Sequence, residues 1–495
     1  MVKDSRIETE KDAYGVSPVV RARRSVGIVS APAAAPSDTA LGKTEVVAQY
    51  VAELGYAHLP AEVVEKAKAV ILDALGCSLA CSTLPLGQAA IDYARRQVGR
   101  PVSTLIGTAF KTGAEDAALV NGILGHGDEI DETVLGFGHA AAVLVPAVLA
   151  AGEREQATGR DMIVALVIGY DVATRLARAG FSLDVLAPRN WQQASSAGSI
   201  AAAAAAGKLL GLNQRQLQIA LGLGAEQACG LQTMRTESGH MNKSMHMGVG
   251  SRNGVASAYL ARSGYGGVLN VFDPPYSVFE AFVPGEGEAK PDELTKALGS
   301  RFEILGSSFK RYSAGRPMHT AIAALHEIME AHELDGADLE EIHVKVPTLE
   351  HGLLSRSLTI EVNIEYVVAV AALDRRVTWD QYSEERQRDP VLRDLWHRVT
   401  SEGNPEFDAL KDANVGSRPS EVTVTTRDGR TITERMIYSP GHPRNPFRPG
   451  ELGEKFMYWA TKAISRAQAT ELASVVEDLE LLPDVNHLGN LLRVS

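Results

Sequence analysis

At 495 residues the chain exceeds what one ordinary hydrophobic core holds, so two domains, with one split in sequence, are expected. A hydrophobic share of 45% with a charged share of 22% describes a globular protein, and no apolar run reaches the ~18 residues of a membrane span. A formal charge of −12 argues against generic nucleic-acid binding, which relies on cations meeting phosphates.

Residues 1–41 carry scattered charges and then APAAAPSDTA, a pattern that predicts a flexible arm. The basic trio Arg21, Arg23 and Arg24 within it is expected to be solvated. MVKDSRIETEK has no apolar signal core and contains acids, so a cytoplasmic location is expected. From Thr44 onward, Val47, Tyr50, Val51 and Leu54 share one helical face, and Val64, Ala67, Val70, Ile71, Ala74 and Leu75 share the next. Cys77, Cys81 and Cys229 cannot all pair, and the first two sit in an apolar stretch. Buried free thiols are therefore expected, in keeping with a reducing compartment.

Ser103 to Gly107 is compatible with a short strand, after which helical periodicity returns. Ala201 to Ala206 permit close helix approach, and Asn213 is placed to cap the helix that follows. Near residue 305 the pattern changes. Period-two alternation appears at 341–347 and 421–435, the latter with a hairpin-turn signal at Asp428-Gly429, and helices are expected around His319–Ala331 and Val362–Ala372. Helical patterning resumes from Leu452.

Four polar clusters interrupt these patterns. NGILGHGDEIDETVLGFGH holds His126, Glu129, Asp131, Thr133 and His139. SGHMNKSMHMGVGSRNG holds His240, Lys243, His246 and Arg252. SSFKRYSAGRPMHTA holds Lys310, Arg311, Tyr312, Arg316 and His319, and PTLEHGLLSRS holds Glu350, His351 and Arg356. Lysine, arginine and histidine gathered in loops of an acidic protein suit a bound carboxylate and any charge developing on it, and Lys or His there can carry protons. Core histidines, helix C-caps and surface ion pairs remain open for each cluster taken alone. His126, Asp128, Asp131 and His139 are plausible metal ligands by type, but no HExxH or paired CxxC spacing is present, so no metal is expected. The Gly-x-Gly pairs follow helical patterns, which argues against a dinucleotide or P-loop site. There is no GxSxG elbow, and Ser195 has no recognisable base nearby in sequence.

With these motifs in view, the chain resembles the MmgE/PrpD family, which includes 2-methylcitrate dehydratase, cis-aconitate decarboxylase and iminodisuccinate epimerase. The resemblance runs from about residue 42 to the C-terminus and rests on ILDALGCSLA, NGILGHGDEIDET with His139, GYDVATRLARA, AAAAAAGKLLGL, NKSMHMGVGSRNG, FKRYSAGRPMHT and YVVAVAALD. It implies a mainly α fold: a large all-helical domain from residues 42–305 and 441–495, plus a smaller α+β lid domain at 306–440. It further implies a homodimer, no cofactor, and acid–base work on a small di- or tricarboxylate. The reaction expected from it is a dehydration or hydration, with decarboxylation behind, an epimerase or isomerase as the alternative, and a non-catalytic carboxylate binder as a third reading.

Carried over by motif, His139 and Lys243 hold substrate carboxylates or developing carbanionic charge, while His319 and His351 move protons. Glu129, Asp131, Thr133, Gln192, His246, Lys310 and Arg316 are expected around the substrate, with His126 structural. Three positions depart from the family's decarboxylases: Glu129 stands for an aspartate, Gln192 for a histidine and His351 for a tyrosine.

Overall fold

The computed structural model describes residues 41–494 apart from 98, 238–240, 286 and 414–416. The expected N-terminal arm, its arginine trio and His240 lie outside the described residues.

The chain is mainly α with one small mixed sheet. Its first buried cluster is helical and draws on residues from Val47 to Phe309 and again from Phe456 to Leu492. Ala140–Glu155, Gly159–Leu176 and Ala197–Leu209 are buried on almost every face, as helices without a polar side must be. Ala201 to Ala206 are all 0% exposed. Short side chains bring the Met241–Arg262 helix against its neighbours: a Cβ on Gly122 would lie 2.6 Å from the Gly248 Cα, and one on Gly254 2.6 Å from the Ala202 backbone. This approach fixes where Lys243 stands. Asn213 caps as expected, its Oδ1 accepting from the Gln216 N–H at 3.0 Å.

A second cluster runs from Tyr312 to Val424. The helices His319–Ala331 and Ile364–Asp374 pack on a four-stranded sheet ordered Val399–Gly403, Leu339–Val346, Ser420–Thr426, Thr431–Met436. Ile342, Val344, Val346, Val422 and Val424 face inward at 0% exposure, the period-two outcome of a half-buried sheet. Asp428-Gly429 turns the last hairpin, with Gly429 at φ +88°. The parallel edge strand at 399–403 was not foreseen, because VTSEG has neither length nor alternation and is held by pairing Val344 with Ser401.

The C-terminal helices rejoin the first cluster. Phe456 of Glu451–Ala460 sits against Gly76 of the Ala61–Cys81 helix, where an added Cβ would lie 2.9 Å from its ring. Ser103–Thr104 forms only a two-residue strand with Lys111–Thr112. Cys77 and Cys81 are buried free thiols and Cys229 is a half-buried one. Among the described residues no single helix is long and apolar enough to cross a membrane.

Candidate active site

The loop between the Ala114–Leu124 and Ala140–Glu155 helices is the meeting point of four distant segments. Its Thr133 N–H donates to the Ser308 carbonyl at 2.9 Å and the Ser308 N–H returns the bond at 2.8 Å. Ser244 Oγ donates to the His126 carbonyl at 2.8 Å, and Ser313 Oγ to Asp128 Oδ2 at 2.8 Å. Lys455 Nζ reaches the Ile130 carbonyl at 2.7 Å and Asp73 Oδ1 at 2.5 Å. Between these anchors Glu129 adopts φ +53°, a conformation a non-glycine residue keeps only when its surroundings enforce it.

The loop's acids face cations. Lys310 Nζ lies 2.5 Å from Glu129 Oε2 and 3.4 Å from Asp131 Oδ1, and all three side chains are 1% exposed. Lys243 pairs with the other Glu129 oxygen. Asp131 accepts from His126 Nδ1 at 2.9 Å and from His139 Nδ1 at 2.8 Å, and the two rings lie 4.0 Å apart. With both Nδ1 atoms donating, each imidazole keeps its proton on the Asp131 side and its Nε2 turned away. Burial alone would raise Asp131, but His126, His139 and Lys310 outweigh it and hold it well below the carboxylate range. Burial, then the charge of Lys310, pushes Lys243 well below the usual lysine value. The openings are at His139 and Lys243, whose side chains are 18% and 21% exposed.

His319 Nε2 donates to the Ala314 carbonyl at 3.2 Å, so its Nδ1 carries the lone pair. Burial and then Lys310 keep it neutral, far below the ordinary histidine pKa. Arg316 donates to Thr133 and, at 2.9 Å, to Ser308 Oγ. Glu132 is buried at the head of the next helix, taking hydrogen bonds from Tyr170 at 2.9 Å and the Ala141 N–H at 3.3 Å. Burial raises it to about 7.

The structure thus brings Glu129, Asp131, Thr133, His139, Lys243, Lys310 and Arg316 into one connected cluster. His319 stands beside it, close enough for the charges of Lys310 and Arg316 to act on it, and three other sequence candidates stand outside. His351 Nε2 donates to the Ser401 carbonyl at 3.2 Å. Gln192 meets Met234 Sδ at 3.6 Å and the Ala194 N–H at 3.3 Å. His246, with Lys243, lies on a helix rather than in a loop, and its Nδ1 is 3.2 Å from Ser195 Oγ. Ser195 therefore does meet a histidine, yet it is fully buried and spends its proton on the Cys229 carbonyl at 2.9 Å, which is not the geometry of a nucleophile. Sequence reasoning missed Lys455, Asp73, Ser244 and Ser313, whose partners lie 50 or more residues away, and it assigned His126 no part in the network. The repeated acids before His139 were the one signal for that network.

Ligand atoms of His126, Glu129 and His139 lie within 4.8 Å of one another, a spacing that would admit a metal ion. Both Glu129 oxygens are already engaged by ammonium groups, which an incoming cation would have to displace against their charge. The donor set suits an anion better than a cation.

Residues 45–290 match the MmgE/PrpD N-terminal domain and residues 312–481 the MmgE/PrpD C-terminal domain. Cis-aconitate decarboxylase of Aspergillus terreus is 28% identical, over 93% of this chain and 97% of its own length. A cis-aconitate decarboxylase-like protein of Aspergillus oryzae is 29% identical, over 90% and 96%. Cis-aconitate decarboxylase of Homo sapiens is 26% identical, over 91% and 94%. Matched in both domains and along nearly its whole length, the chain belongs to the MmgE/PrpD family of enzymes.

Proposed function

We propose that the protein is a cofactor-independent lyase for a small tricarboxylate, breaking a bond at a carbon next to a carboxylate by acid–base chemistry. The observation that carries this reading is the buried Asp131 between two imidazoles, beside two ammonium groups gathered on Glu129. Glu129 occupies the position between Lys243 and Lys310 that a substrate carboxylate would take. Once it is displaced, the two cations face the substrate and stabilise negative charge as it develops. Asp131 fixes the Nδ1 proton of His139, leaving Nε2 as an acid or base at the opening, and His319 Nδ1 supplies a second one.

The full-length likeness to cis-aconitate decarboxylases makes an unsaturated tricarboxylate the first substrate to test, and loss of carbon dioxide the first reaction. Hydration or dehydration of the same class is the second reading. Incubation of ¹³C-labelled cis-aconitate in D₂O, followed by NMR, separates the readings. Labelled carbon dioxide identifies a decarboxylase, a new carbinol carbon a hydratase, and deuterium uptake with neither an epimerase-like exchange. No change with any member of a di- and tricarboxylate panel would overturn the lyase reading. His319→Ala and Lys243→Ala are expected to lose about 10²- to 10⁴-fold in rate.

A homodimer and a lid formed by residues 306–440 accompany this proposal on the strength of the family resemblance, and a cytoplasmic setting on the strength of the free thiols. A light-scattering mass near 52.9 kDa would oppose the dimer. Unchanged hydrogen-exchange protection of 306–440 with saturating tricarboxylate would oppose the lid.

A further inference from the structure

Asp131 and Glu132 are neighbours in sequence but serve different partners, and only Asp131 has a part in the chemistry proposed above. Asp131 holds the His139 ring through its Nδ1 at 2.8 Å. Glu132 holds the backbone on which that ring is mounted. His139 is the N-cap residue of the Ala140–Glu155 helix, yet its side chain makes no capping bond, because the ring is turned to Asp131. A helix start leaves its first N–H groups without intrahelical partners. Here the Ala140 N–H donates to the Gly138 carbonyl at 2.9 Å, and the Ala141 N–H to Glu132 Oε2 at 3.3 Å. Glu132 thus does from nine positions away what an N-cap side chain ordinarily does, and the His139 ring is left for the opening.

The surroundings of the carboxyl group favour its neutral form. Glu132 is 0% exposed, and so is Tyr170, whose hydroxyl donates to Oε2 at 2.9 Å. Among the described residues Oε1 has no hydrogen-bond partner, and neither has the buried Ser307 Oγ beside it. No cation among them pairs with Glu132 either. The charges of Lys66 and Arg316 reach it only from beyond ion-pair distance, and that of Asp131 opposes its ionisation. An ionised carboxylate here would be a buried, uncompensated charge. With a proton on Oε1, the O–H donates to Ser307 Oγ, and Oε2 stays the carbonyl oxygen that accepts from Tyr170 and Ala141. Burial, the largest influence on the group, raises it to about 7.

We propose that Glu132 is a positioning residue for His139, which acts as the neutral acid and caps the helix from which that imidazole projects. This role rests on the reading of His139 as an acid or base at the opening. Glu132→Gln tests it, because the amide puts a carbonyl oxygen and an N–H donor where the neutral acid has its carbonyl oxygen and O–H. Glu132→Ala removes both. Glutamine should keep kcat on the lyase substrate within about threefold of wild type, whereas alanine should lose about 10- to 100-fold in kcat with KM little changed, the cost of a misplaced imidazole.

Two readouts need no substrate. Hydrogen exchange followed by mass spectrometry over residues 139–145 should quicken in Glu132→Ala and stay at the wild-type rate in Glu132→Gln. The infrared difference between wild type and Glu132→Gln should show a protonated-carboxyl band at mildly acid pH that titrates near neutrality. On a Tyr170→Phe background the same band should titrate at higher pH, since the donor that favours the anion is gone. A glutamine variant as impaired as alanine, or a difference spectrum without the band, would overturn the neutral acid. Unchanged exchange in Glu132→Ala would overturn the cap. If Glu132→Ala does not fold, Glu132→Gln and Tyr170→Phe, which keep the shape of the core, decide the question. Wild-type protein inactive on every polycarboxylate would count against the lyase reading alone, with exchange and infrared spectra still deciding the part of Glu132.

Discussion

Replacing Lys310 by methionine tests the electrostatic logic of the cluster. Lys310 is 1% exposed and lies 2.5 Å from Glu129 and 3.4 Å from Asp131, both equally buried. At an effective dielectric of about 20, unit charges ~3 Å apart interact by roughly 5 kcal/mol. Removing one partner of a buried pair costs about 3–5 kcal/mol, since the other charge stays desolvated. Methionine keeps the length and apolar stem of lysine, so the loss is electrostatic rather than a cavity. Lys310→Met should therefore lower the unfolding free energy at pH 7 by about 3–5 kcal/mol, measured by urea denaturation with circular dichroism. The loss should shrink at acid pH, where protonation relieves the stranded carboxylates. Glu129→Gln on the Lys310→Met background should recover part of it, giving a coupling energy above about 1 kcal/mol in the double-mutant cycle. A loss under ~1 kcal/mol, or additivity within about 0.5 kcal/mol, would refute the claim that Lys310 compensates buried carboxylates.

Glu132 makes stability depend on pH. Its folded value of about 7 against the ordinary 4.5 means that the folded chain holds a proton the unfolded chain has released. Stability is thus full below 4.5 and falls by about 1.4 kcal/mol per pH unit up to neutrality. Glu132→Gln should flatten that slope in thermal melts, and an unchanged slope would sink the assignment. Lys455→Met should lower kcat by up to about 100-fold with little change in KM, because the Ile130 carbonyl between Glu129 and Asp131 loses its anchor. The deficit should persist when Asp73→Asn removes the orphaned acid, and Lys455→Arg should restore part of it. Dialysis against a chelator should leave turnover unchanged. A loss reversed by added divalent cation would show that His126, Glu129 and His139 hold a metal.

Much of this protein was legible from local pattern. Helical periodicity, the alanine run at 201–206, the capping residue Asn213 and the Asp428-Gly429 hairpin all depend on neighbours within a few positions, and each appears in the structure as read. The acid-rich loop was recognisable too, because consecutive Asp and Glu between apolar helices have no ordinary place in a core. The edge strand at 399–403 was not legible, since only pairing with Leu339–Val346 makes VTSEG extended. Nor were the histidines' assignments: His139 and His126 share Asp131, whereas His351 is spent on the Ser401 carbonyl.

Sequence by itself determined most of the helices, the last hairpin, the family and the acid-rich loop. Tertiary structure decided which of them meet. Glu129 and Lys310 are 181 positions apart and Ile130 and Lys455 are 325 apart. Hydrophobic periodicity says which face of a helix is buried, but carries no record of which distant helix it is buried against. The charge partners of a buried carboxylate are set by that packing, and its desolvation leaves the chain no stable alternative to pairing it.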